Sequence, residues 1–247
     1  MDETTRTPPW LVVEDLLLLL LDDQRGTLSV GVDPGLAMGG AMLMDLARAG
    51  LVELSPRAGL LSSPTVTATP DATTDDPLLR AAAETVAAKP RNAMVMVRTL
   101  AKIDGESTRD LVAARLVERG VLERRGGRVL GLFPRTEWPT ADAAHEAALR
   151  TGLREVLILD RDPTAHQAAV ISILQALNQL RVVAKDETRS LRDVVKRAKE
   201  IREVNLASEA VEATVQAAVQ AAEAATIAAV SAAVSAAVVA TAGASAS

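Results

Sequence analysis

The chain has 247 residues, a net charge of -5, no Cys and no Tyr, and its only aromatics are Trp10, Phe133 and Trp138. That excludes a disulfide scaffold, a thiolate nucleophile, a zinc ribbon and an aromatic platform for single-stranded nucleic acid. With 49% hydrophobic and 24% charged residues the chain is not disordered overall, and its core must be aliphatic.

In chain order, residues 1–12 read as a polar, acidic arm with no signal-peptide pattern. Residues 14–21 form a short, very apolar helix between acidic pairs, too short to span a bilayer. Residues 27–30 are a brief extended piece, and 35–50 an apolar helix with Gly50 as its C-terminal stop. Gly31, Gly35 and Gly39, four apart, suggest a smooth face for a packed helix. Residues 51–54 read as a strand, 55–76 as a loop with an extended piece at 65–69. Asp76-Pro77 then opens a helix as N-cap and first helical residue. Helices are predicted at 77–88, 91–102, 106–119, 141–158, 164–180 and 187–203, with a long final helix from Leu206. Gly126-Gly127 marks a hairpin within 121–133, and residues 134–140 a loop. The uncharged stretch after Glu223 is rich in Ala, Val, Ser and Thr and reads as a buried packing helix rather than a membrane span.

Charge is unevenly placed. From Lys89 to Arg135 there are 11 basic and 5 acidic residues, and from Arg181 to Arg202 there are 8 and 4, so an acidic chain carries two basic segments. His145 and His166 have no partner at metal-binding spacing and read as surface or packing histidines; no metal or cofactor site is suggested. The pairs Asp22-Asp23 and Asp75-Asp76 suit helix ends better than acid–base chemistry. For residues 106–138, three functions compete with a plain structural hairpin. They are a membrane-docking hairpin whose arginines meet anionic lipid, a protein-interaction scaffold, and a winged-helix nucleic-acid binder, ranked last because the chain is acidic overall.

The stretches EDLLLLLLDDQRGTL, AMLMDLARAGLVEL, DDPLLRAAAETV, LVERGVLERRGGRVLGLFP and RAKEIREV, in this order, resemble the Golgi phosphoprotein 3 family, and its bacterial branch in particular. The resemblance implies a mainly α, single-domain helical bundle over 13–242, ringed by amphipathic helices, with short β-hairpins and a tail at 243–247. It implies a cytoplasmic, non-enzymatic, peripheral membrane protein that binds phosphatidylinositol 4-phosphate. In eukaryotic members it also implies retention of glycosyltransferases through their cytoplasmic tails. The head-group site carries over in part: one Arg position matches Arg109, with Arg98 and Arg115 as helpers, while its companion falls at Glu106. The family's Trp position falls at Val30 and another Arg position at Gly39. The family hairpin falls on 121–133, with Arg124, Arg125 and Arg128 at a basic tip that favours electrostatic docking over insertion. The expected partners are anionic phospholipid and a membrane surface, with peptide tails or a second copy of the chain under the scaffold alternative.

Overall fold

The computed structural model describes residues 9–22, 34–54, 65–129, 133–184 and 189–207. The chain is mainly helical, with short antiparallel strand pairs. Its centre is α1, Val12–Leu20, in which every residue is buried. A helix with no exposed residue has no solvent face, so it is surrounded. Helices α2 (Pro34–Arg48), α5 (Thr108–Glu118), α6 (Ala144–Ile158) and α7 (Ala165–Ala176) all pack on it. The core is aliphatic: Leu16 to Leu20, Met38, Met42, Leu43, Met44, Met96 and Leu100 are all at most 2% exposed.

Helix α2 ends where the sequence predicts. Gly50 takes φ +69°, and Leu51 N–H reaches back to the Leu46 carbonyl at 2.9 Å, which closes the last turn. The same device ends α5 at Gly120, φ +73°. Asp76 caps α3 (Pro77–Ala88), accepting the N–H groups of Leu78 and Leu79 at 3.0 and 3.2 Å, with Pro77 as first helical residue. Strands β1 (Val52–Leu54), β2 (Thr65–Ala68) and β3 (Arg91–Asn92) form one antiparallel sheet, with Val52 opposite Ala68 and Val66 opposite Arg91.

Three sequence expectations change. The helices predicted at 91–102 and 106–119 are shorter: α4 is Ala93–Thr99, and a hairpin of β4 (Lys102–Ile103) and β5 (Glu106–Ser107) precedes α5. Asp104 and Gly105 both take positive φ, +50° and +85°, and make its tight turn. The second change is the basic hairpin. Strands β6 (Arg125–Val129) and β7 (Phe133–Glu137) pair Gly126 with Thr136, Gly127 with Arg135 and Val129 with Phe133. Gly126-Gly127 therefore lies within a strand, and 134–137 is strand rather than loop. Third, the helix predicted at 164–180 ends at Ala176, and one 3₁₀ turn follows at Leu180–Val182.

The last described helix, α8, is Leu191–Ala207 and packs on α7 and α6. No helix among the described residues is long and apolar enough to cross a membrane. The predicted extended piece at 27–30, with Val30, and the uncharged stretch after Glu223 lie outside the described residues.

Candidate functional site

The hairpin is fixed to the body at its root. Glu123 N–H donates to the Pro139 carbonyl at 2.9 Å, Ala141 N–H donates to the Val121 carbonyl at 2.8 Å, and Leu122 bridges Thr140. Trp138, 8% exposed, anchors this root in the core. Arg124 and Arg125 are exposed there. The Arg124 guanidinium stands 5.8 Å from the Trp138 ring, and Arg125 pairs with Glu123 at 2.8 Å, an ion pair in open solvent that a competing anion can displace. Arg128 lies on β6 opposite Pro134. The hairpin thus carries cations at its root and along its first strand.

The candidates on α4 and α5 are in different states. Arg98, on α4, is exposed. Arg109 holds its neighbour Asp110 through Nε at 2.9 Å and Nη2 at 2.7 Å, and both side chains remain well exposed. Arg115 is turned inward. It donates to Glu14 at 3.0 Å and makes a two-pronged pair with Asp76 at 3.0 and 2.6 Å. Burial works against its charge, but Glu14 and Asp76 outweigh that and hold the guanidinium above its ordinary range. Any head group reaching Arg115 would have to compete with two carboxylates.

Gly39 leaves no room for the Arg that the resemblance places at this position. A Cβ there would stand 2.1 Å from the Val97 carbonyl oxygen and 2.9 Å from the Ala101 amide nitrogen. The residue is the point where α2 meets the backbone of α4, buried and closed to any side chain. The small-residue face expected from the glycine spacing is real at this position.

Beside α5 runs an open groove of ≈ 400 Å³ between α3, the β4–β5 hairpin and α5. Leu78, Ala81, Ile103 and Leu111 form its apolar lining, and Asp104, Glu106 and Glu118 give it acidic character. Of the three predicted head-group arginines only Arg115 lines it, and that cation is already neutralised. This groove attracts cations and repels phosphate.

A buried polar cluster went unread in the sequence. Glu14 is 0% exposed and Asp15 2%. Glu14 accepts the Leu11 N–H at 2.9 Å, Arg115 at 3.0 Å and Arg119 at 3.0 and 3.1 Å. Asp15 takes His145 Nε2 at 2.6 Å on one oxygen and His166 Nε2 at 2.8 Å on the other. An ionised carboxylate only accepts, so both imidazoles donate from Nε2. Burial opposes the Asp15 charge, but the two histidines outweigh it and hold its carboxyl below the ordinary range. Asp45 on α2 completes the set, accepting the N–H groups of Val12 and Val13 at 2.9 and 3.0 Å. The signal was available: two charges, Glu14-Asp15, open a run of six leucines too apolar to present them to water.

These are the ED motif of the first helix and the basic segment that suggested the resemblance, now set on one bundle. A profile of Golgi phosphoprotein 3 (GPP34) matches residues 12–222. The chain belongs to the Golgi phosphoprotein 3 family. The match takes in α1, where the buried ED pair lies, as well as the hairpin and α8. Comparison with curated proteins returns no match. Membership of the Golgi phosphoprotein 3 family brings a general association with phosphoinositide and protein partners, and the site's own residues must decide between them.

Proposed function

We propose that this Golgi phosphoprotein 3 family member is a non-enzymatic, cytoplasmic, peripheral membrane protein that docks on anionic phospholipid through the β6–β7 hairpin. The observation that carries the reading is the hairpin's make-up: exposed Arg124 and Arg125 at its root and Arg128 on its first strand. Arginines near an anionic surface contribute about 1 kcal/mol each. Of the head-group candidates, the exposed Arg98 and the half-exposed Arg109 are placed to meet a head group, phosphatidylinositol 4-phosphate by family resemblance. Arg115 supports α5 from within. Arg124→Glu combined with Arg125→Glu is expected to weaken binding to anionic vesicles by about 2 kcal/mol or more, roughly 30-fold, on the per-residue scale above. Co-sedimentation with vesicles measures it, and unchanged binding would remove the hairpin from the docking surface.

The acidic groove favours a second reading, in which the same chain holds a basic peptide tail. Its apolar lining suits a leucine-type side chain and Glu106 and Glu118 a flanking Lys or Arg. Glu106→Lys with Glu118→Lys is expected to abolish capture of a fluorescent Leu- and Arg-containing peptide while leaving vesicle binding intact. A variant that captures the peptide as well as the natural chain rules the groove out as its seat.

A further inference from the structure

The hairpin leaves the bundle at the end of α5 and returns at the start of α6. Strands β6 and β7 pack chiefly on each other, while Val121, Leu122 and Trp138 bury the root in the bundle. Such a ribbon is a lever. Its strands have five residues each. It is therefore about 17 Å long, and a tilt of about 15° at the root moves its far end by about 4 Å. Whatever fixes the root fixes where the hairpin's arginines stand.

Two residues bracket that root. Arg119 is the C-terminal cap of α5 and His145 the second residue of α6, with the whole hairpin between them in the chain. Both close on one ring, that of the half-buried Trp10. The His145 imidazole stacks on it at 3.4 Å between centroids with 7° between planes, and the Arg119 guanidinium stands 3.7 Å from the ring centre. Two flat groups this close to one ring cannot share a face, so Trp10 lies between them. Each is also tied to α1. Arg119 Nη1 donates to both Glu14 oxygens, at 3.0 and 3.1 Å, and His145 Nε2 donates to Asp15 at 2.6 Å. Glu14 accepts the Leu11 N–H as well, at 2.9 Å, which holds the residue directly after the tryptophan. The two ends of the hairpin thus meet at one aromatic side chain and at one pair of adjacent carboxylates.

We propose that Trp10 is the positioning residue of the hairpin, an assignment that rests on hairpin docking as the chain's function. It joins the two ends from which the ribbon springs and sets the angle at which Arg124 and Arg125 meet an anionic bilayer. A flat ring is what the position requires, because its two faces hold a cation and an imidazole at a fixed separation. An aliphatic side chain would fill space there but give Arg119 and His145 no common partner. Each would keep its carboxylate, so the bundle would stand while the hairpin's angle loosened. Docking would then have to order the hairpin on the membrane, and affinity would fall although every arginine is still present.

The chain has no Cys, so Thr136→Cys on β7 and Lys196→Cys on α8, both exposed positions, take two spin labels and no others. The distance between the labels is expected to show one narrow distribution in this background. Adding Trp10→Leu is expected to broaden it. Binding to vesicles of neutral phospholipid with phosphatidylinositol 4-phosphate should then fall by about 2- to 10-fold, the cost of ordering a loosened segment on contact. Trp10→Phe, which keeps a flat ring, restores both. Should Trp10→Leu not fold, His145→Gln, which keeps a donor for Asp15 but has no ring, is expected to broaden the distribution in its place. A lost packing contact alone lowers the melting temperature and leaves the distance as it was. An unchanged distribution therefore overturns the positioning role, as does a broadened one with unchanged vesicle binding. If the labelled parent chain itself ignores anionic vesicles, hairpin docking is what fails, and the distances still decide whether Trp10 fixes the hairpin.

Discussion

Glu14→Ala is expected to destabilise the chain by about 3–5 kcal/mol, the usual cost of removing one partner from a buried ion pair. Glu14 is wholly buried, and its two oxygens serve three donors: Arg115, Arg119 and the Leu11 N–H. Arg115 and Arg119 have side chains only 14% and 12% exposed, so neither charge can return fully to water. Arg115 keeps Asp76 and Arg119 keeps the Trp10 ring, which holds the cost at this level rather than above it. Glu14→Gln keeps an acceptor in place and costs less. Urea denaturation of the two variants beside the natural chain gives both values, and a Glu14→Ala midpoint equal to the natural one would show that the pairs contribute nothing.

Gly39→Ala is expected to cost about 4 kcal/mol or more, in the range that marks a single severe mechanism. The added carbon would meet backbone rather than the end of a pliable side chain, at 2.1 Å from the Val97 carbonyl oxygen. Relief requires α4 to move away from α2, and that contact buries Ala93, Met96 and Val97. Gly39→Arg, which would restore the residue type of the family's head-group site, is expected to disrupt the fold instead of strengthening lipid binding. Thermal unfolding of Gly39→Ala checks this; a melting temperature within a degree or two of the natural chain would contradict the close approach.

What the sequence made legible was mostly local. Gly50 and the Asp76-Pro77 pair act through backbone geometry and capping within a few residues, so reading them needs no knowledge of the fold. The aliphatic, helical character followed from composition in the same way. The hairpin's register did not, because Gly126-Gly127 is a strong turn signal by residue type, yet pairing through Glu137 places both glycines within β6. Asp104-Gly105 was a second turn signal, passed over between two helix-forming stretches. The polar cluster was the least legible, since the pairs from Glu14 and Asp15 to α5, α6 and α7 join residues 101 to 151 positions apart.

That cluster also changes the meaning of the basic segment. Its excess of positive charge includes Arg115 and Arg119, which the fold spends on internal carboxylates. The described cations of the segment that stay outside include Lys89, Arg98, Lys102, Arg109 and those of the hairpin root, while the groove beside α5 is acidic. Anionic lipid and basic peptide would therefore meet different parts of the chain, the first at β6–β7 and the second between α3 and α5.

The measurement that bears most directly on membrane docking is flotation of the natural chain with vesicles of neutral phospholipid, alone or containing phosphatidylinositol 4-phosphate. At low salt the chain is expected to float with the anionic vesicles and to stay behind with the neutral ones. High salt should weaken the interaction by screening the hairpin arginines. Equal flotation with both vesicle types, or none with either, would contradict docking through an arginine-bearing hairpin.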